Sequence, residues 1–361
     1  MKDEVKSRLY INTVKGLAIF LMLWGHCIQC CALNSFDFFE NNVFKFIYSF
    51  HMPLFMLVSG YLFYFSFQKR DVKELIVHRT KPLGWTIVVG GIIIWLSTTV
   101  LFNFLTGNYS VIIGGGWLPF LNKLWFLWSV LASSLGVALI FKKVKPLGLQ
   151  ILLLFVWGGV VLLFPNAENN LYMYPYYVIG FCFAKIRNKI CNKLLYIKYL
   201  SLLLFPAMCF FFEKRHYIYT SGIFGGEYVD GIWNIVKTDM FRWAIGLMGS
   251  IFVLTVVEFL FNLFYRPKST GVRKKLFMPL AKVGGNSLQI YVLSSIFLSG
   301  YLPIAYHKCI ELLGEGNFLA NNMWLYNAIF TPILAIVYTI FLYWIVKLLY
   351  KIKIGEFIFL K

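Results

Sequence analysis

Ten long apolar stretches recur along the chain, at about 11–31, 43–67, 83–105, 124–141, 147–164, 171–186, 196–212, 241–265, 284–306 and 324–349, with short charged segments between them. Roughly 20 apolar residues in a helix match the hydrocarbon core of a bilayer, about 30 Å thick. Backbone groups inside lipid must pair within the segment, so each stretch is expected to be a helix. The pattern predicts an all-α integral membrane protein with about ten transmembrane helices. Composition agrees: 60% of residues are hydrophobic, 14% are charged, and the mean hydropathy of +0.72 is out of range for a soluble domain. The opening MKDEVKSR and the apolar run behind it imitate a signal peptide, but no small-residue cleavage site follows, so a retained first helix is expected. With no repeat, low-complexity tract or soluble appendage visible, a single membrane domain over residues 1–361 is expected, with function inside the membrane.

Charge then predicts orientation. If the N-terminus is cytoplasmic and ten helices follow, 27 of the 34 Lys and Arg residues fall in inner segments. The outer side keeps Lys45, Lys123, Lys214, Arg215, Lys237, Arg242 and Lys308. That alternation predicts an N-in/C-in topology. The net charge of +19 is dispersed over short loops rather than gathered on one face, which argues against nucleic acid and for lipid contact. The same inner surface would attract a polyanionic cofactor.

Ionisable groups within spans are costly and few. They are Lys15, His26, His51 and Glu258, while Lys45 and Arg242 are expected to snorkel to the outer boundary. Eleven helical steps of about 100° separate Lys15 from His26, about 20° past three full turns, so the two share a helix face. The short segment 33–42 makes the first two helices an adjacent antiparallel pair. His26 then lies about 22 Å along the first helix and His51 about 12 Å from the outer end of the second, at nearly one depth. Pro53 is expected to bend the second helix beside His51. A neutral imidazole is a natural general base near pH 7, yet proton relay or solute transport would use the same pair.

Other features are less specific. In QKRDVKELIVHRTKP, Arg79 and Lys81 stand before Pro82 at the expected start of the third helix, either as a solvated positive loop or as a phosphate clamp. Gly114, Gly115, Gly116 and Trp117 lack P-loop spacing. Trp125 and Trp128 suit an interfacial aromatic belt, with sugar stacking as the alternative. The segment 212–240, with Glu213, His216, Glu227, Asp230 and Asp239, is long enough to cap an outward-facing site. Seven scattered cysteines imply no disulfide framework, and Cys27 and Cys30 beside His26 read as packing residues rather than metal ligands.

RLYINTVKGLAIFLMLWGHCIQ and SFHMPLFMLVSGYLF resemble the first two helical blocks of the acyltransferase 3 family of integral membrane acyltransferases, in particular its fucose 4-O-acetylase-like members. The first block carries Lys15 and His26 at the family's spacing. The second is matched by His51, Pro53, Phe55, Ser59 and Gly60. Weaker similarities lie at Arg79, at LWFLWSV, at YPYYVIGF and at VGGNSLQIYVLS, whereas Asn12, Pro82 and Ser294 depart from the family's usual residues. The resemblance implies transfer of an acetyl or other acyl group from cytoplasmic acyl-CoA, acetyl-CoA first among the donors, to a hydroxyl of an envelope sugar, lipid-linked glycan or exopolysaccharide. It implies a bacterial cytoplasmic membrane protein, His26 as base with His51 as partner, donor anchors at Lys15, Arg79 and Lys81, acceptor contacts at Trp125 and Ser59, and no metal. The competing expectations are an exporter of glycan or lipid intermediates and a proton-coupled transporter.

Overall fold

A computed structural model describes residues 2–32, 36–106, 118–187, 191–225, 229, 231–264, 277–301, 304, 306 and 322–360. Gly114 to Trp117, Glu227, Asp230, Lys308 and Cys309 lie outside the described residues. Among the described residues the chain is helical and contains no strand. The helices are α1 (Lys2–Ala32), α2 (Asn42–Lys69), α3 (Val72–Thr106), α4 (Trp125–Lys143), α5 (Leu147–Val160), α6 (Ala167–Ile186), α7 (Cys191–Cys209), α8 (Ile232–Phe264), α9 (Met278–Gly285), α10 (Ser287–Ile296), α11 (Thr331–Lys351) and α12 (Ile354–Phe359). Among the described residues six helical stretches are long and apolar enough to cross a membrane: Lys6–Ala32, Asn42–Lys69, Val72–Thr99, Pro119–Lys143, Ile232–Phe264 and Met323–Lys351. Leu147–Leu163, Leu194–Cys209 and Ser287–Ile296 are shorter apolar helices.

Several helices begin earlier than the apolar pattern predicts, α3 and α8 among them. The basic segment before Pro82 is not a loop but the first turns of α3, because Asp71 accepts a hydrogen bond from the Glu74 N–H at 2.7 Å and caps the helix there. Pro82 is accommodated inside α3, as Pro53 is inside α2. α8 starts at Ile232 rather than near residue 241, and its first turns carry Asp239 and Arg242, which pair across three residues at 2.6 Å.

The chain forms two compact units, and α2 and α8 each contribute one end to each unit. The first contains residues 1–52, 197–214 and 248–352. Here α1 packs on α9 and α11. The α1/α9 crossing is backbone on backbone: a methyl group at Gly16 would lie 1.9 Å from the Leu280 carbonyl oxygen, and one at Gly284 would lie 1.8 Å from that of Asn12. Only glycine permits that approach. Trp24 Nε1 donates to Thr331 Oγ1 at 3.0 Å, and the Tyr326 hydroxyl donates to the Ile28 carbonyl at 2.7 Å, fastening α11 and the turn before it to α1. Asn41 caps the start of α2, its Oδ1 accepting from Val43 N and Phe44 N at 3.0 and 3.1 Å. Lys198 and Glu258 pair at 2.6 Å, which gives the acid of α8 a partner.

The second unit contains residues 53–196, 215–247 and 353–361. Its helices α3 and α6 each pack on α4, and α2 meets α6 at a second glycine crossing. Methyl groups at Gly60 and Gly180 would each lie 2.0 Å from a carbonyl oxygen, of Tyr177 and Leu57 respectively. Buried Ser129 donates to Asn170 Oδ1 at 2.7 Å, and Asn170 Nδ2 donates to the Pro165 carbonyl at 2.9 Å. These bonds satisfy polar groups that would otherwise be stranded in an apolar interior.

Candidate active site

In the first unit His26 and His51 both pack against one aromatic ring, that of Tyr48. α1 presents His26, half-buried, and the first turns of α2 present Tyr48 and His51, the latter 3% exposed. His51 Nδ1 donates to the Ile47 carbonyl oxygen at 2.9 Å. A carbonyl only accepts, so Nδ1 carries the proton and Nε2 holds the basic lone pair. His26 Nδ1 lies 3.3 Å from Gln29 Oε1 and 3.3 Å from the Tyr48 hydroxyl. The Tyr48 ring stands edge-on to both imidazoles, with centroids 6.1 Å from His26 and 4.7 Å from His51. The expected adjacency of α1 and α2 thus takes the form of one Tyr48 ring in contact with both imidazoles.

Tyr48 and Gln29 were not singled out in the sequence. Both carried a local signal, Gln29 three residues after His26 and Tyr48 three before His51, one helical turn away in each case. Lys15 lies on the same continuous α1, about 16 Å along the axis from His26. Cys27 and Cys31 are buried beside this centre as free thiols. Among the described residues no three His, Cys, Asp or Glu side chains gather as metal ligands would.

The remaining candidates belong to the second unit. There, cations from three helices lie on an aromatic collar carried largely by α2. The Arg79 guanidinium sits 4.7 Å over Phe63, Lys142 Nζ 4.5 Å over Phe67, and Lys185 Nζ 5.1 Å over Phe141. Arg187 lies 5.5 Å over Phe65 and donates to the Tyr61 hydroxyl. Phe181 of α6 closes the collar against Phe67 and Phe141, at 5.1 and 5.0 Å. Arg79 Nε is buried and has no hydrogen-bond partner among the described residues. Lys81 is exposed, two residues further along α3. Ser59 is half-buried on α2, next to the Gly60 crossing. Trp125 opens α4, half-buried, 6.1 Å from Phe126, while Trp128 Nε1 donates to the Leu121 carbonyl at 3.2 Å.

One charged group behaves differently from the sequence expectation. Arg242 does not snorkel. It is 1% exposed, and its guanidinium donates to the carbonyls of His216, Gly222 and Arg215 at 3.1, 2.6 and 2.7 Å, to Asp239 at 2.6 Å and to Ser221 Oγ. The acceptors are supplied by the segment that folds over it, so the charge has no need of the boundary. Lys45 pairs with Glu40 at 2.6 Å. Asp37, in the α1–α2 connection, pairs with Lys214 at 2.7 Å. Partial burial opposes ionisation of Asp37, but the hydrogen bonds from Lys214 and the Phe39 N–H and the charges of Lys214 and Lys45 outweigh it, holding the carboxyl below its ordinary value.

These features define a multi-pass helical membrane protein with paired imidazoles between its first two helices. Residues 8–351 match the model of an acyltransferase domain, and the chain belongs to that family, the acyltransferase 3 family of membrane acyltransferases. It is similar to the nodulation protein NolL of Sinorhizobium fredii, 32% identical over 203 residues covering 54% of this chain and 53% of that protein. It is also similar to the nodulation protein NolL of Mesorhizobium japonicum, 27% identical over 196 residues covering 49% and 48%. The matched part of the chain thus spans about half the length of these curated relatives. No solved structure matches the chain.

Proposed function

We propose that this protein is an acyl-CoA-dependent O-acyltransferase of the bacterial cytoplasmic membrane that esterifies a hydroxyl of an envelope sugar, lipid-linked glycan or exopolysaccharide. The observation that carries the reading is the shared contact of His26 and His51 with Tyr48, within a chain matched to the acyltransferase family over nearly its whole length. His26 Nε2 takes the proton of the acceptor hydroxyl as its oxygen attacks the thioester carbonyl. The C–S bond then breaks, and the imidazolium returns the proton to the departing thiolate, so one ester and one free thiol form. His51, with its lone pair on Nε2, assists as partner.

The donor carries its phosphates on the cytoplasmic side in an N-in/C-in arrangement of ten spans. Lys15, Arg79 and Lys81 serve as donor anchors, which suits the buried unpartnered Arg79 Nε. Trp125 and Ser59 contact the acceptor. Acetyl-CoA is the donor to test first. Inverted membrane vesicles given radiolabelled acetyl-CoA are expected to label vesicle glycan, and His26→Ala to abolish the label. Unlabelled glycan together with uptake or export that needs no acyl donor would overturn the assignment.

A further inference from the structure

We infer that Tyr48 is a positioning residue of the acyl-transfer centre, its hydroxyl oxygen sharing with Gln29 the place behind the His26 imidazole that a carboxylate often occupies in catalytic histidines. The inference rests on the reading of His26 as the base. A histidine acting through Nε2 needs its Nδ1 proton held by an acceptor, which fixes tautomer and ring orientation and stabilises the imidazolium once it forms. Among the described residues no Asp or Glu hydrogen-bonds to His26. The groups facing Nδ1 are two neutral oxygens, Gln29 Oε1 and the Tyr48 hydroxyl, each at 3.3 Å.

The position of Tyr48 is fixed from several sides. Its ring stacks on Phe44, one turn earlier on α2, at 3.9 Å and 24°, and it abuts His51 at 4.7 Å. Across the helix pair the residue before His26 is Gly25, where a methyl group would lie 2.4 Å from Tyr48 Cε2. The glycine makes room for the ring, and the ring brings its hydroxyl to the next residue of α1. The same side chain therefore touches both imidazoles and supplies one of the two oxygens behind His26. When Nε2 takes the acceptor proton, the new positive charge is shared with the Nδ1 proton that these oxygens face. The proton then leaves Nε2 for the thiolate, and Tyr48 neither gains nor loses one.

The full-length protein in inverted vesicles, with labelled acetyl-CoA as the probe, provides the test. Tyr48→Phe keeps the ring and its packing, so the thermal midpoint and the KM for acetyl-CoA are expected to stay near wild type while kcat falls roughly tenfold. In that background Gln29→Glu, which offers a carboxylate to the same Nδ1 proton, is expected to restore most of the rate. A purely structural tyrosine would show neither the kcat-only loss nor the rescue. Wild-type kcat in Tyr48→Phe, or no recovery with Gln29→Glu, overturns the role of Tyr48 provided that labelling still depends on His26. Labelling that survives His26→Ala overturns the reading of His26 as base instead.

Discussion

Gly284 of α9 lies against the Asn12 carbonyl of α1 so closely that a methyl group there would stand 1.8 Å from the oxygen, whereas the neighbouring Gly285 has nothing within 4 Å. Gly284→Ala is therefore expected to force the helices apart and cost about 2 kcal/mol or more, the range of overpacking. Gly285→Ala is expected to be neutral or slightly stabilising, since alanine is the better helix former. Thermal unfolding of the two purified variants makes the comparison, and equal midpoints would show that this crossing does not limit stability.

The hydrogen bond from His51 Nδ1 to Ile47 separates two uses of one side chain. Asparagine can place an amide donor near Nδ1 but offers nothing at Nε2. His51→Asn is expected to remain folded yet lose on the order of 100-fold in transfer rate, the lower end of acid/base contributions. His51→Gln carries its amide further out, and wild-type turnover in either variant would remove His51 from the chemistry.

Arg242 lies in a cage of carbonyls closed by Asp239. Removing the guanidinium strands those acceptors and leaves the acid unpaired, so Arg242→Met should destabilise by about 3–5 kcal/mol. Asp239→Asn keeps the shape and an acceptor oxygen, and its cost should be clearly smaller. Limited proteolysis near residues 215–222 reads both, with faster cutting expected in the methionine variant.

Arg79 rests on Phe63, its Nε without a hydrogen-bond partner among the described residues. Lysine would keep the charge but lose the planar stack and the fork of donors. Arg79→Lys should raise the KM for acetyl-CoA several-fold with the thermal midpoint unchanged. A steady-state titration of donor in vesicles decides it, and an unaltered KM would dissociate Arg79 from the donor.

Asp37 has its carboxyl held below the ordinary value by Lys214 and its other partners. As pH falls the unfolded chain binds this proton first, near pH 4. The Asp37–Lys214 tie therefore contributes in full above about pH 4 and is lost as pH drops through the lower, folded value. The thermal midpoint of wild type should decline more steeply in that window than that of Asp37→Asn. Parallel curves would show that the tie contributes nothing measurable, a common result for exposed pairs.

Apolar run length and residue spacing made the helices legible in the sequence, and with them Lys15 and His26 on one helix and His51 on the next. These are local properties, because the backbone in lipid has to pair with itself and helical periodicity then follows. Capping by Asp71 and the Asp239–Arg242 pair extended α3 and α8 beyond the apolar runs, through polar contacts that a hydropathy pattern does not weigh. The rotation of each helix against its neighbour was a tertiary matter. It brought Tyr48 onto His26 across Gly25, buried Arg242 under the carbonyls of residues 215–222, and set the cations of α3, α4 and α6 on the aromatic rings of α2 and their neighbours. Those contacts depend on which residues face each other at a crossing, and the packing of whole helices decides that.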